Sequence, residues 1–451
     1  MQLLKRQDTK LGKFLTVYII LQPIIDLLTS LQLKYSDFPL TFGVITRTLF
    51  MFFCCFYILF QYKHKNKKYL VIYLVLLGIY CLAFLAYNTI LHKDILKLFI
   101  DLKELFKVIY LPIVFVGFYS YNKNNIKLEY GKLMAIVALL YIFIITIAFL
   151  TNTSFNSYEY GYGYKGWFYA ANEIGIIVAT LSPILLYKVL NVKSLYAILP
   201  TILVAFVSGF IGTKAVFLII SFYIFITFIV LLAYSIIKKK IKINSIAVLG
   251  MVGILIISFF PFSPLYKNVS YSFTQTIPID DDKDSNKVED DKVDTKKEND
   301  SYFLKIANWL LSNRISFIYP IRDCFINSNF FHRCVGVGYS NFNKAIEMDY
   351  FTLYYQHGYL GSLIIFSPAL LAIYMNLKYI FKNIKSLLVI KSWTYFYSFG
   401  LLLVAAGLSG HVIIAPAVSI YIVLTSIELK NSKKVLEEKS FENIGDNANI
   451  Q

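Results

Sequence analysis

The chain is a succession of apolar runs about twenty residues long, separated by short basic loops. A helix rising ~1.5 Å per residue needs about twenty residues to cross ~30 Å of hydrocarbon, whereas no soluble core of this size requires such runs. A closed β-barrel would alternate apolar and polar residues over about ten positions, and these runs are continuously apolar. The expected fold is therefore an all-α polytopic membrane protein with about twelve transmembrane helices. The expected spans are 14–33, 42–61, 69–91, 104–119, 133–150, 170–189, 195–210, 213–236, 245–262, 351–377, 388–408 and 411–428. Between 195–210 and 213–236, Gly209, Gly212 and Thr213 also permit a break or re-entrant turn.

In a soluble protein a net charge of +17 would point to nucleic acid, but here the chain is 57% hydrophobic and the lysines sit in every second loop. That alternation is an orientation signal, and no nucleic-acid partner is expected. The basic loops, such as Lys63 to Lys68 and Lys238 to Lys242, are read as cytoplasmic, together with both termini. The first apolar run is too long for a signal-peptide core and reads as a retained anchor. Residues 92–107 mix lysines and acids on an amphipathic pattern, which predicts a helix lying at the outer interface.

The division that follows has nine spans in 1–262, an extracytoplasmic loop over 263–350, three spans in 351–428 and a cytoplasmic tail over 429–451. The stretch 278–300 is nearly devoid of apolar residues and reads as solvated disorder. Residues 302–350 read as an ordered lid, since Phe303, Ile306, Leu310, Ile318 and Ile321 recur at helical spacing. Cys324 and Cys334 share this loop and either pair or stay reduced.

Charges inside spans are costly, at about 2.5 kcal/mol or more near the bilayer centre. Asp26 and Arg47 either pair with each other or free Arg47 for an anion site. Lys214 follows Gly212-Thr at a helix start, where it either snorkels or holds a phosphate; Lys107 is a second candidate of that kind. The segment Tyr158 to Tyr169, followed by Asn172, is dense in aromatics but lacks the glycine and lysine spacing of a P-loop. Tyr162, Tyr164 and Trp167, with Asn172, form either an interfacial aromatic belt or a sugar-binding surface. The histidines show no metal-ligand spacing, so neither metal nor cofactor is expected, and His411 is either a proton carrier or a local cap. In the loop, Arg314 and Arg322 offer guanidinium forks for a diphosphate, and Glu347 and Asp349 are candidate general bases.

Together, a late outer loop, Gly212-Thr-Lys214 at a helix start, Asn313-Arg314, Gly336-Val-Gly338 and Glu347-Met-Asp349 leading to Gly358-Tyr-Leu-Gly361 resemble the O-antigen ligase and polymerase superfamily. The likeness is to members that polymerise capsular, exopolysaccharide or teichuronic-type glycans. It implies a metal-independent glycosyltransferase that takes an undecaprenyl-diphosphate-linked glycan donor and a glycan acceptor at the outer face, with a flippase and chain-length regulators as further partners. By the same resemblance, Lys214 and Arg314 occupy positions that hold the diphosphate. Glu347 stands where ligases usually carry a histidine, and Lys214 where they carry an arginine, departures that favour a polymerase. The expected chemistry is an inverting transfer with Glu347, or Asp349, as base. A lipid-linked oligosaccharide flippase or exporter is the alternative, and would place its charges nearer the membrane midplane.

Overall fold

The computed structural model describes residues 10–36, 38, 40–92, 95–124, 128–157, 162–190, 197–239, 243–276, 314, 318–340, 342 and 346–448. Among them the fold is all-helical, with no strand beyond an isolated bridge between Asn156 and Tyr164. The helices are α1 Lys10–Ile20, α2 Gln22–Tyr35, α3 Phe42–Phe56, α4 Lys67–His92, α5 Ile95–Lys123, α6 Tyr130–Leu150, α7 Ala171–Val189, α8 Ile198–Phe210, α9 Lys214–Lys238, α10 Ile243–Phe259 and α11 Pro264–Thr276. They continue with α12 Ile318–Asn327, α13 Phe330–Val335, α14 Asp349–Phe351, α15 Gly358–Lys382, α16 Ile390–Leu408 and α17 Pro416–Ala448.

Seven of the described helices are long and apolar enough to cross a membrane, and α1 with α2, bent by 46° at Leu21, makes an eighth. Pro23 opens α2, so the helix restarts where proline is tolerated. The expectation of about twelve spans exceeds this number for a physical reason. Helix α17 lies inside the bundle: it packs on α5, α7 and α16, and every residue from Ala417 to Leu429 is buried. A helix screened from lipid by its neighbours need not be uniformly apolar. Accordingly α17 carries buried Ser419, Thr425, Ser426 and Glu428.

Several sequence-based boundaries shift. Residues 92–107 do not form a separate interfacial helix: from Ile95 they run without interruption into Lys123, and Asp101 is buried. The carboxylate of Asp101 accepts from the Tyr339 and Ser340 amides at 2.7 and 3.1 Å and from the Ser340 hydroxyl at 2.9 Å, so α5 anchors the segment after α13. Helix α8 has 13 residues, about 20 Å of rise, and is too short to span alone. The last helix starts at Pro416, which leaves 409–415 as a turn, and α15 starts at Gly358 after a π-helical turn over Thr352–Gln356.

The run 278–300 and the apolar positions Phe303, Ile306 and Leu310 lie outside the described residues. Ile318 and Ile321 are buried as their spacing predicts, in a small core of their own with Phe325, Val337, Ile346 and Met348. Cys324 and Cys334 are both free thiols.

Candidate active site

Arg314 and Glu347, thirty-three residues apart, meet directly: Nε of Arg314 donates to Oε2 of Glu347 at 2.6 Å. Both side chains are largely withdrawn from the surface, at 14% and 29% exposed. Among the described residues the two terminal nitrogens of the guanidinium have no acceptor, so its fork is still available to an anion. The backbone of Glu347 rests on Gly410, where a Cβ would collide with the Glu347 carbonyl oxygen; only glycine fits there, at φ +66°.

Asp349 is fully buried and its carboxylate is occupied. It accepts from the amides of His411, Val412 and Ile413 at 2.7, 2.8 and 2.6 Å, and so pins the 409–415 turn to the start of α14. Burial pushes this carboxyl up to about 6, while the backbone N–H groups pull against the rise. Both oxygens of Asp349 are engaged by backbone amides of the turn. His411 adopts a left-handed backbone, φ 54°, which this clamp maintains. Its imidazole feels the charges of Glu347, Arg314, Lys107 and Glu104, and burial holds it below its ordinary value, so it is neutral at neutral pH.

Lys107 donates to Glu104 one turn earlier at 2.6 Å, which leaves a half-buried ammonium beside the site. Glu173, in the first turn of α7, feels Arg47 and Lys107 as well as Asp26 and Asp349. Deeper in the bundle, Arg47 pairs with Asp26, with Nε and a terminal nitrogen donating to Gln22 Oε1 at 3.3 and 3.0 Å. Tyr141 donates to the other Asp26 oxygen at 2.5 Å. Of the two readings of Asp26 and Arg47, the pair forms, and Arg47 is 6% exposed.

Lys214 opens α9 directly after Gly212 and Thr213. The Gly212 turn abuts the aromatic loop so closely that a Cβ there would press on the Gly163 backbone, and Asn268 of α11 donates to the Gly212 carbonyl at 3.0 Å. Gly175 of α7 packs against Val216 and Thr213, so the start of α9 lies against α7. Below Lys214, a groove of about 440 Å³ opens between α9 and α16, lined by Leu218, Phe222, Trp393, Phe396, Tyr397 and Val404.

Residues 8–430 match the sequence profile of the family described as O-antigen ligase like membrane protein. The chain belongs to this family. Neither a curated protein nor a solved structure matches it. Membership in the O-antigen ligase like family points to a glycosyl-transferring membrane enzyme that ligates or polymerises glycans from lipid-linked substrates.

In this O-antigen ligase like chain the remaining candidates lie elsewhere. Arg322 does not join the cluster: it bonds its neighbour Asp323 at 3.0 and 2.8 Å and stacks over Tyr319 on a half-exposed face of α12. Tyr164 packs edge-on against Phe149, Tyr162 lies under Lys267, and Trp167 donates to Thr153 at 2.9 Å, so these rings brace the loop. Asn172 is exposed while its neighbour Glu173 turns inward. Glu173 was absent from the sequence candidates although the signal existed, namely a carboxylate inside an expected span. Asp101 was also missed, and so was His357, which is buried between the hydroxyls of Tyr80 and Tyr339 at 2.8 Å each. Among the described residues no group of histidines, cysteines and acids is placed to hold a metal ion.

Proposed function

We propose that this protein is a glycan polymerase of the bacterial cytoplasmic membrane. It transfers an undecaprenyl-diphosphate-linked oligosaccharide onto a glycan acceptor at the outer face, for capsule, exopolysaccharide or cell-wall glycan, with both termini cytoplasmic. The observation that carries the reading is the direct Arg314–Glu347 ion pair, seated on Gly410 next to His411, whose imidazole feels the charges of Glu347, Arg314 and Lys107.

The chemistry follows from the charges. An acceptor hydroxyl loses its proton to Glu347 and attacks the anomeric carbon of the donor, while the bond to the diphosphate breaks with inversion. Negative charge then gathers on the departing diphosphate. In this reading Arg314, Lys107 and Lys214 meet it, and Arg314 can do so with its terminal nitrogens while Nε still orients Glu347. Arg47 is committed to Asp26 and Gln22, so its part is to fix the site from below. In this reading His411, whose imidazole feels the charge of Glu347 and is held neutral at neutral pH, takes the proton on from Glu347. The polyprenyl chain fits the groove that begins at Leu218, one turn or ~6 Å below Lys214.

The test is purified full-length protein in lipid vesicles with a diphosphate-linked oligosaccharide, scored for chain length on a gel and for translocation. Longer chains support the polymerase; translocation without elongation would show a flippase and overturn the reading.

A further inference from the structure

At the opposite margin of the aromatic loop lies a second, polar cleft of about 410 Å³, lined among others by Lys34, Asn152, Phe155, Asn156, Lys165 and Tyr169. Its wall is preformed. The Phe155 amide donates to the Gly166 carbonyl at 2.7 Å and the Lys165 amide returns to Phe155 at 3.1 Å, while Ser154 braces Gly166 from both sides. The two ammonium groups converge from different elements: Lys34 from the end of α2, 3.5 Å over the Phe155 ring, and Lys165 from the loop, 5.7 Å over Tyr169. Lys165 is lowered by burial and by the charge of Lys34. Like charges held together over aromatic faces, beside two exposed asparagine amides, match an anion that also carries a ring and hydroxyls.

We propose that this cleft seats an anionic sugar residue of the glycan, with its carboxylate between Lys34 and Lys165, its ring against Phe155 or Tyr169 and its hydroxyls on Asn152 and Asn156. The seat gives the enzyme a grip on an acidic chain at a distance from the reacting bond. It rests on the reading of this protein as a glycan polymerase. A lipid phosphate would satisfy the charges but would leave the asparagine amides without a role.

The probe is tetragalacturonate, titrated into full-length protein in nanodiscs, with maltotetraose as the neutral control. Tetragalacturonate is expected to bind and maltotetraose not to. K34Q/K165Q should weaken binding at least tenfold, and K34R/K165R should restore it with unchanged thermal stability. Glu347→Gln should bind as wild type does, so retained binding without any elongation by the wild type would sink the polymerase reading and leave the seat standing. Equal binding by wild type and K34Q/K165Q would overturn the proposal. So would loss of tetragalacturonate binding when phosphatidylglycerol is added to the nanodisc, because the cleft would then be a lipid headgroup site.

Discussion

Arg314 and Glu347 form an ion pair through Nε of the guanidinium, 2.6 Å from Oε2. If this pair served the fold alone, exchanging its charges would be tolerated. Exchanged, as Arg314→Glu with Glu347→Arg, the contact can re-form, but in the proposed mechanism the base would then stand where the diphosphate sits. We expect normal insertion and thermal stability with elongation lowered by at least ~100-fold, the usual scale for losing a general base. Thermal stability in detergent and elongation on a gel check the two halves.

The turn pinned by Asp349 should make the protein sensitive to pH. Its carboxyl lies at about 6, against about 4 in an unfolded chain, so between these values the folded state binds more protons than the unfolded one. Stability therefore falls as pH rises from about 4 to about 6, by about 3 kcal/mol, and then levels off. Asp349→Asn should flatten that slope. Elongation should move the other way in the wild type, rising through pH 6 as the ionised carboxylate clamps the amides of 411–413. Melting temperature and elongation rate, each followed against pH in both proteins, check this.

The buried pair beneath the site makes a stability prediction. Asp26→Asn leaves Arg47 charged and without its carboxylate at 6% exposure, which costs about 3 to 5 kcal/mol. Asp26→Asn combined with Arg47→Gln should lose less than the sum of the single changes, because the two groups interact directly. A double-mutant cycle of thermal unfolding in detergent measures the difference.

Gly410 tests how closely Glu347 is seated on the 409–415 turn. Gly410→Ala places a methyl group on the Glu347 carbonyl in a left-handed backbone, so it should displace Glu347 and abolish elongation. Gly250→Ala, in α10 with no atom within 4 Å of the new Cβ, should be silent. Comparing elongation by these two variants at matched expression checks the point.

The helical architecture was legible because twenty-residue apolar runs have few other uses, and α7 falls where its run predicts. Hydropathy was less informative about interior helices. The charges of α5 suggested an interfacial segment, yet Asp101 is buried there because it bonds to Tyr339 and Ser340. Spacing alone could not foresee a partner 238 residues away. The same limit explains the site. Arg314 and Glu347 were recognisable by residue type and by resemblance, whereas the division of labour between Glu347 and Asp349 depends on which carboxylate meets the amides of 411–413. Arg322 had the right chemistry and the wrong neighbour, since Asp323 engages it. Glu173 was overlooked because its significance comes from Arg47 and Lys107, which only the folded bundle brings near it.

The most direct test is a single-turnover elongation rate on a defined diphosphate-linked repeat, comparing wild type with Glu347→Gln and Arg314→Ala in the same lipid. The expected result is that each substitution lowers the rate by ~100-fold or more while donor binding survives Glu347→Gln and weakens in Arg314→Ala. Wild-type rates in both variants would contradict the assignment of base and diphosphate ligand to this pair.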